Sequence, residues 1–251
     1  LARVLSTAPM PGEALFAAIE RPLYVALGVD PARGMTWQAY ARAFVLSNLV
    51  LGAFVYALLL FQGMLPLNPD GIPGMSWDLA LHTMVSFLTN TNQQHYSGQA
   101  QLSYLSQLAG IVTLQVVTPM MGLAIAAAML RALVGGRNAA AAREGDARDV
   151  GNYYVDVIRL TLRAFLPLAL VLSLLLTAQG VPSTFAGAAR ATPLDSGAGL
   201  TEQVIPIGPV APMVAVKQLG TNGGGWYGPN SAVPLENPTP QSNLLQTVAI
   251  I

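Results

Sequence analysis

Two short segments rich in threonine, asparagine and glycine contain the residues best suited to bind a monovalent cation. Neutral hydroxyl, amide and backbone carbonyl oxygens can replace the water shell of such an ion, and glycine permits positive φ angles and close approach of the backbone. Neither segment core contains a carboxylate, the ligand that a divalent cation favours. We therefore predict two filter loops for a monovalent cation, with backbone carbonyls as ligands and Thr and Asn side chains as braces. The predicted residues are Thr89, Asn90, Thr91 and Asn92 in the first loop and Gly220, Thr221, Asn222, Gly223 and Gly224 in the second.

Two other interpretations of the second loop stay open on its chemistry alone. A glycine-rich loop before a helix can bind phosphate, but no Gly-Lys-Ser or Gly-Lys-Thr sequence follows the three glycines, and the dinucleotide-binding spacing is absent. The loop could also be a structural turn that binds no ligand. The repeated context of the two loops favours neither alternative.

A short apolar stretch precedes each loop. Trp77–Leu88 and Val210–Leu219 are too short to cross a bilayer, which takes about 20 apolar residues. We predict that each is a half-helix that enters the membrane and directs its partly negative C-terminal end at the loop, where it favours a cation. The loop backbone must then be buried in protein or line water. The repeated order predicts two copies of one pore-loop unit, and the letters leave open whether Asn90 or Asn92 is the counterpart of Asn222.

Long apolar helices must flank these half-helices, and the composition provides them. Charged residues make up 10% of the 251 residues, apolar residues make up 53%, and the mean hydropathy is +0.50. Soluble domains carry about 25% charged residues. Uncharged stretches at 43–69, 79–130 and 164–189 predict spans near 43–64, 102–133 and 154–178, and the start of another is predicted at 244–251. The predicted fold class is an all-α, polytopic integral membrane protein; buried helices of a large soluble protein are the alternative.

The arginines predict the orientation of the chain. Ten of the twelve Lys and Arg residues precede the first span or lie between the second and third spans and at their facing ends, from Arg131 to Arg163. The positive-inside rule places both segments in the cytoplasm and both loops outside. The predicted organisation is a cytoplasmic N-terminal segment (1–37), a first span–pore-loop–span unit (38–134), a cytoplasmic loop (135–153) and a second, truncated unit (154–251).

Several classes of function lack support in the residues. The formal net charge is zero, whereas a nucleic-acid partner requires an excess of basic residues. The absence of cysteine excludes disulfide scaffolds and thiolate metal sites. No acid–base pair, nucleophile triad or phosphorylation loop stands out, so no catalytic residue is predicted. The chain begins at Leu1 rather than Met, and we expect a fragment.

Five residues near the loops are predicted to support them or line their vestibule. Lys217, the only lysine, would repel a cation unless its charge were neutralised. An ion pair with Glu236 is therefore preferred over a direct gating role. The five residues are Gln94, Gly225, Asn230, Lys217 and Glu236.

These residues also resemble those of a known family, the potassium-binding pore subunits of Kdp-type potassium-transporting ATPases (the KdpA family). The resemblance runs in order from about residue 11 to residue 251 and covers the first half of such a protein. It rests on SFLTNTN at 86–92, Gln94 and YSG at 96–98 for the first filter, and on KQLGTNGGG at 217–225, NS at 230–231 and ENPTP at 236–240 for the second.

The resemblance implies potassium as the ion and four pore-loop units of the potassium-channel superfamily in the whole protein. It implies a pore subunit that dehydrates and binds potassium on the extracellular side of a bacterial inner membrane, within a high-affinity, ATP-driven uptake complex. The implied partners are a P-type ATPase catalytic subunit, small accessory membrane subunits and the lipid bilayer. ATP would act only through the catalytic partner, which makes this chain a non-catalytic component of a translocase.

Some positions depart from the family pattern. Gln93 replaces a tryptophan, Gln99 and Val214 each replace a glutamate, and Gly228 begins an altered triplet. The resemblance therefore implies a divergent member with altered affinity or selectivity. Two alternatives stay open: an ATP-independent potassium channel or symporter of the same superfamily, and a membrane scaffold that transports nothing.

Overall fold

The computed structural model of the chain describes residues 3–5, 11–135, 149–194, 199–223 and 225–251. Gly224 and most of the predicted cytoplasmic loop lie outside the described residues. The described residues are mainly helical. They belong to two compact units, Leu1–Leu51 with Val116–Pro167 and Gly52–Gln115 with Leu168–Ile251.

Three helices are long and apolar enough to cross a membrane, and they overlap the three helices that the sequence predicts as spans. They are Trp37–Met64, Ser106–Val134 and Tyr153–Ala178. The first begins before the predicted residue 43, because the absence-of-charge criterion excluded Arg42. An arginine at the end of a span can carry its charge away from apolar surface on its long side chain, and Arg42 is exposed.

The helices of the chain have the following bounds. Two spans contain a wider, π-helical segment, and the first ends in a 3₁₀ turn. In chain order the elements are α1 (Glu13–Leu27), α2 (Trp37–Phe61) with the 3₁₀ turn Gln62–Met64, α3 (Trp77–Leu88), α4 (Gly98–Gln101), the π-helical Ser106–Val112 and α5 (Thr113–Gly135), α6 (Tyr153–Leu160), the π-helical Thr161–Phe165 and α7 (Leu166–Ala178), α8 (Val210–Leu219) and α9 (Pro240–Ile250).

In the first unit, ion pairs with at least one buried partner connect helices that are distant along the chain. Arg163 donates to the carboxylates of Glu13, at 2.9 Å, and Glu20, at 2.8 Å. Arg131 donates to both oxygens of Asp156, at 2.6 and 2.9 Å. Buried charges persist where partners satisfy them, and these pairs hold α1 against the third span and α5 against α6.

The second unit contains the two helices that were predicted as half-helices, and both have the predicted bounds. α8 packs against α9 and against the π-helical segment Ser106–Val112. Its side chains at Val210, Met213 and Val214 are fully buried, because this apolar helix is enclosed by other parts of the unit. A side-chain cap starts α9: the Thr239 hydroxyl accepts the N–H of the residue three positions later, at 3.0 Å.

A short hairpin lies between the third span and α8. β1 (Ala189–Ala191) pairs antiparallel with β2 (Gln203–Ile205), and Arg190 is opposite Val204. The all-α prediction did not include these strands, since segments of three mostly exposed residues give no alternating hydrophobic pattern.

Candidate cation-binding site

Both half-helices end in the same backbone geometry. Thr89, after α3, has φ −84° and ψ 4°, and Gly220, after α8, has φ −79° and ψ 5°. Each donates its N–H to the carbonyl four residues earlier, at 3.0 and 2.9 Å. Each predicted loop therefore begins at the partly negative C-terminal end of a helix.

The first loop folds back onto the helix before it. The carbonyl oxygen of Ser86 accepts the N–H groups of Thr91, at 3.0 Å, and Asn92, at 3.1 Å. The Ser86 hydroxyl donates to the carbonyl of Gln93 at 2.9 Å. One residue of α3 thus fixes three successive residues of the loop.

The second loop repeats the same backbone bonds. The carbonyl oxygen of Lys217 accepts the N–H groups of Asn222 and Gly223, both at 3.1 Å. Lys217 precedes its two donors by the same numbers of residues as Ser86 precedes its own. Lys217 is therefore the counterpart of Ser86.

These bonds define the register between the loops. Asn222 corresponds to Thr91, so neither Asn90 nor Asn92, the two alternatives left open by the sequence, is its counterpart. An alignment of the two loops by residue type gives the wrong register, because the loops share a backbone conformation but have different residues at equivalent positions.

Left-handed backbone conformations occur at matching positions of the two loops. φ is 58° at Asn90 and 53° at Asn92, and it is 63° at Thr221 and 68° at Gly223. Positive φ is a genuine outlier for a β-branched residue, and such positions cost of order 1–3 kcal/mol each and cluster at functional sites. Thr221 is therefore a strained residue in the second loop.

The carbonyl groups of the loops are largely left without protein donors. Among the hydrogen bonds between described residues, none ends on the backbone oxygen of Thr91, Asn92, Thr221 or Asn222. The N–H groups of the same segments bond back to the helices instead. The backbone oxygens at these positions are available to water or to a cation.

Side-chain hydrogen bonds connect the two loops and brace the first. The side-chain amide of Asn222 donates to Asn90 Oδ1 at 3.0 Å. Within the first loop, Asn92 Nδ2 donates to the same oxygen at 3.4 Å, and the hydroxyls of Thr89 and Thr91 are 3.0 Å apart. The structure therefore brings the two predicted loops side by side.

Lys217 is buried beside the first loop. Its side chain is 1% exposed, its Nζ donates to Gln94 Oε1 at 3.3 Å, and it lies 5.8 Å from the ring centroid of Phe87. Burial lowers the pKa of Lys217 to about 8, against the opposing effect of the Glu236 carboxylate. Those two described residues have no N···O contact within 4 Å. The hydrogen-bond partner of Lys217 is thus Gln94 and not the predicted Glu236.

Glu236 holds the segment that follows the second loop. It is fully buried, and it accepts the N–H of Tyr227 at 2.9 Å and that of Ser231 at 2.7 Å, one on each carboxylate oxygen. Burial raises the pKa of Glu236, and these N–H donors act in the opposite direction. Gly225 lies against this carboxylate, since a Cβ there would be 2.6 Å from Oε1.

The remaining predicted support residue, Asn230, is exposed in the turn beyond the loop. Its N–H donates to the carbonyl of Gly228 at 3.0 Å, and its φ is 29°. Gly224, a predicted ligand, lies outside the described residues.

The sequence interpretation missed three supporting residues: Ser86, Gln218 and Gln246. Gln218 donates to Gln246 Oε1 at 2.9 Å, and Gln246 donates to the Glu236 carbonyl at 2.8 Å. An amide in an apolar helix is a weak signal without its distant partner. For Ser86 the signal was its distance from the end of the half-helix, which Lys217 shares.

Aromatic side chains pack around Trp226, which directly follows Gly225 at the end of the second loop. Trp226 is 1% exposed, and its ring centroid is 5.6 Å from that of Tyr104. The Tyr104 hydroxyl donates to the carbonyl of Ile207. A Cβ at Gly208 would be 2.5 Å from Trp226 Cζ2, so this region leaves no room for a larger residue.

Comparisons with known proteins identify a family that matches the chain over its whole length. The family described as "Potassium-transporting ATPase A subunit" matches residues 1–251. The chain is 46% identical over 237 residues to the potassium-transporting ATPase potassium-binding subunit of Pseudomonas fluorescens, which covers 94% of this chain and 40% of that protein. It is 46% identical over 252 residues to the protein of the same name from Anaeromyxobacter dehalogenans, covering 100% of this chain and 42% of that protein.

A third relative, with the same name, is from Edwardsiella ictaluri. It is 48% identical over 234 residues, which cover 93% of this chain and 39% of that protein. The chain thus spans about 40% of the length of the curated relatives that it matches. On the match over its whole length, the chain belongs to the family of potassium-transporting ATPase A subunits.

Proposed function

We propose that this chain forms the first part of the potassium-binding and translocating pore subunit of an ATP-driven uptake complex. The observation that carries the proposal is the pair of adjacent loops with one backbone path, whose carbonyl oxygens have no protein donors at four positions among the described residues. In a pore loop, backbone oxygens that have no protein donor must line water or bind an ion.

The chemistry of the loops suits potassium. Backbone carbonyls can replace the water shell of a dehydrated potassium ion, and the C-terminal ends of α3 and α8 add partly negative charge beside them. In this proposal the loop carbonyls of residues 89–92 and 220–224 are the ligands. The hydrogen bond between Asn222 and Asn90 sets the distance between the two loops.

The remainder of the full-length protein would complete the site. Two loops cannot surround an ion, and the related proteins are more than twice as long as this chain. We propose a multi-pass inner-membrane protein with pore-loop repeats and loops on the outer side, where arginine distribution places them. ATP hydrolysis would occur on a partner chain, since the relatives are named as subunits of an ATPase.

The filter assignment is tested with Gly223→Asp in the full-length protein. The φ of 68° and the Ile250 Cδ1 atom 3.2 Å from an added Cβ leave no relaxed place for a side chain, and the carboxylate would introduce a fixed charge among neutral ligands. We expect Rb⁺ uptake, in cells that have no other potassium uptake system, to be lost or to change in ion selectivity.

Gly199→Asp is the matched control. Gly199 also has a left-handed φ, 72°, but nothing lies within 4 Å of an added Cβ. It should retain normal uptake at equal membrane abundance. If Gly223→Asp also transported Rb⁺ with unchanged selectivity, the filter assignment would be wrong.

Coupling to ATP requires a separate measurement. Uptake by the assembled complex should stop when ATP is depleted and the proton gradient is collapsed. Uptake that survives both treatments together would identify the channel alternative. Uptake that survives ATP depletion only while the proton gradient is kept would identify the symporter alternative.

A further inference from the structure

Ser86 and Lys217 make equivalent backbone hydrogen bonds, but their side chains make different contacts. Both carbonyls close their own loop. The Ser86 hydroxyl also binds its own loop, at the carbonyl of Gln93. The Lys217 ammonium instead reaches the other loop, at Gln94 Oε1.

We infer that Lys217 is a positioning residue that holds the first loop from the second half-helix, so that both loops move and select ions as one body. The inference rests on the proposed function for its consequence in transport. The backbone carbonyl of Lys217 accepts hydrogen bonds from the second loop, and its side-chain ammonium donates to Gln94, next to the first loop.

The contact is a hydrogen bond to a neutral acceptor and not an ion pair. Burying an ammonium without a carboxylate at hydrogen-bond distance is costly, whereas the equivalent position in the first repeat holds an uncharged serine. The cost is reduced by Gln94 and by the ring of Phe87, which faces the ammonium at 5.8 Å. Both stabilising groups come from the first repeat, which ties the charge to that loop.

Among the described residues, the bond from Lys217 to Gln94 is a further connection between the two loops. The first joins Asn222 to Asn90, and one hydrogen bond leaves two segments free to rotate about it. The bond from Lys217 to Gln94 restricts that rotation. Loss of Lys217 should therefore loosen the first loop while leaving the backbone bonds of the second in place.

A double-mutant cycle in the full-length protein, assembled in its complex, tests the connection. The variants are Lys217→Met, Gln94→Met and both together, and Gln241→Met, at an exposed site, is the control. Hydrogen bonds to charged groups are among the stronger ones in proteins. We expect each single variant to raise KM for Rb⁺ about tenfold, which is about 1.4 kcal/mol, with kcat nearly unchanged.

The double variant distinguishes a shared bond from two separate effects. If the two side chains act through one bond, its KM matches that of the single variants. A KM near the product of the two single effects would mean that they act independently and would overturn the inference. An unchanged KM in Lys217→Met would do the same.

A second readout does not depend on transport. The chain has no cysteine, so Gln93→Cys, at an exposed position of the first loop, can report its mobility in protein whose remaining cysteines, if any, are replaced. Labelling by a membrane-impermeant maleimide should be several-fold faster when Gln93→Cys is combined with Lys217→Met. Equal rates would overturn the inference even if the protein transports potassium. If the parent protein itself transported no potassium, faster labelling after Lys217→Met would retain the inference, and only the proposed function would be rejected.

Gln94→Glu covers the case in which Lys217→Met fails to assemble. A carboxylate at position 94 can pair with the ammonium, so we expect this variant to assemble at normal abundance. The same substitution with Lys217→Gln should lower abundance further than Lys217→Gln alone, because it leaves a carboxylate without its cation. Equal abundance in those two variants would contradict the pairing.

Discussion

The buried carboxylate of Glu236 offers the sharpest test of how the second loop is held. Each of its oxygens accepts one backbone N–H, from Tyr227 and from Ser231. The substitution Glu236→Gln keeps the shape of the side chain but leaves a single acceptor oxygen. One of the two N–H groups would then face an NH₂ group and lose its hydrogen bond.

The size of the effect follows from those contacts. A hydrogen bond to a charged group contributes about 1.5–3 kcal/mol, and a buried donor left without an acceptor adds a penalty. Removal of a buried charge offsets part of this loss, because burial disfavours the ionised form. We expect Glu236→Gln to lower the free energy of unfolding by about 2 kcal/mol.

The measurement is thermal stability of the purified full-length protein at saturating potassium. The fraction that stays monodisperse in detergent after heating gives an apparent midpoint, which we expect to fall by a few degrees. Glu202→Gln is the matched control: its carboxylate is exposed and pairs with Arg190 at 2.8 Å. An exposed pair contributes about 0–1 kcal/mol, so that midpoint should barely move. Equal midpoints for the two variants would refute the role assigned to Glu236.

Three further predictions concern other residues. Gly225→Ala should lower stability and Rb⁺ uptake, because its Cβ would lie 2.6 Å from the buried carboxylate of Glu236. The control Gly122→Ala, with nothing within 4 Å of the added Cβ, should leave the free energy of unfolding unchanged or raise it by up to about 1 kcal/mol. Similar losses of stability in both variants would contradict the clash at Gly225. Burial lowers the pKa of Lys217, which lies outside the three spans, from 10.5 to about 8, so the unfolded state binds more protons than the folded state between these two pH values. The free energy of unfolding, relative to that of Lys217→Met, should therefore rise by about 2 kcal/mol from pH 7 to pH 9.5. A difference that does not change with pH would contradict the burial of the Lys217 charge. Asp156→Asn should cost roughly 3 kcal/mol, since it leaves Arg131 without its carboxylate, and a midpoint shift of less than a degree would show that the pair is dispensable.

The sequence predicted the helices more completely than the loops. An apolar stretch that is too short to span a bilayer and is bounded by turn residues predicts a short helix, so Trp77–Leu88 and Val210–Leu219 were predicted with correct bounds. The start of the first span was predicted too late, at residue 43, because the helix begins at Trp37 and includes Arg42. The hairpin at Ala189–Ala191 was missed because its strands are too short to show a period.

The arrangement of the loops could not be predicted from residue types. The register depends on which carbonyl accepts which N–H, and Thr91 and Asn222 have equivalent bonds without similar letters. The partner of Lys217 was mispredicted because charge favours Glu236, whereas the path of the chain places Gln94 closer. Long-range contacts of this kind depend on the fold of both repeats together.

The burial of Trp226 gives the second loop an optical signal of its own. The other two tryptophans of the chain, Trp37 and Trp77, are 67% and 68% exposed, whereas Trp226 is 1% exposed and packed against Tyr104. An indole in a dry, rigid environment emits at shorter wavelength than one in contact with water or lipid headgroups. The blue edge of the fluorescence from these 251 residues thus comes from the segment directly after the second loop, and a red shift of that edge would show that water had reached Trp226.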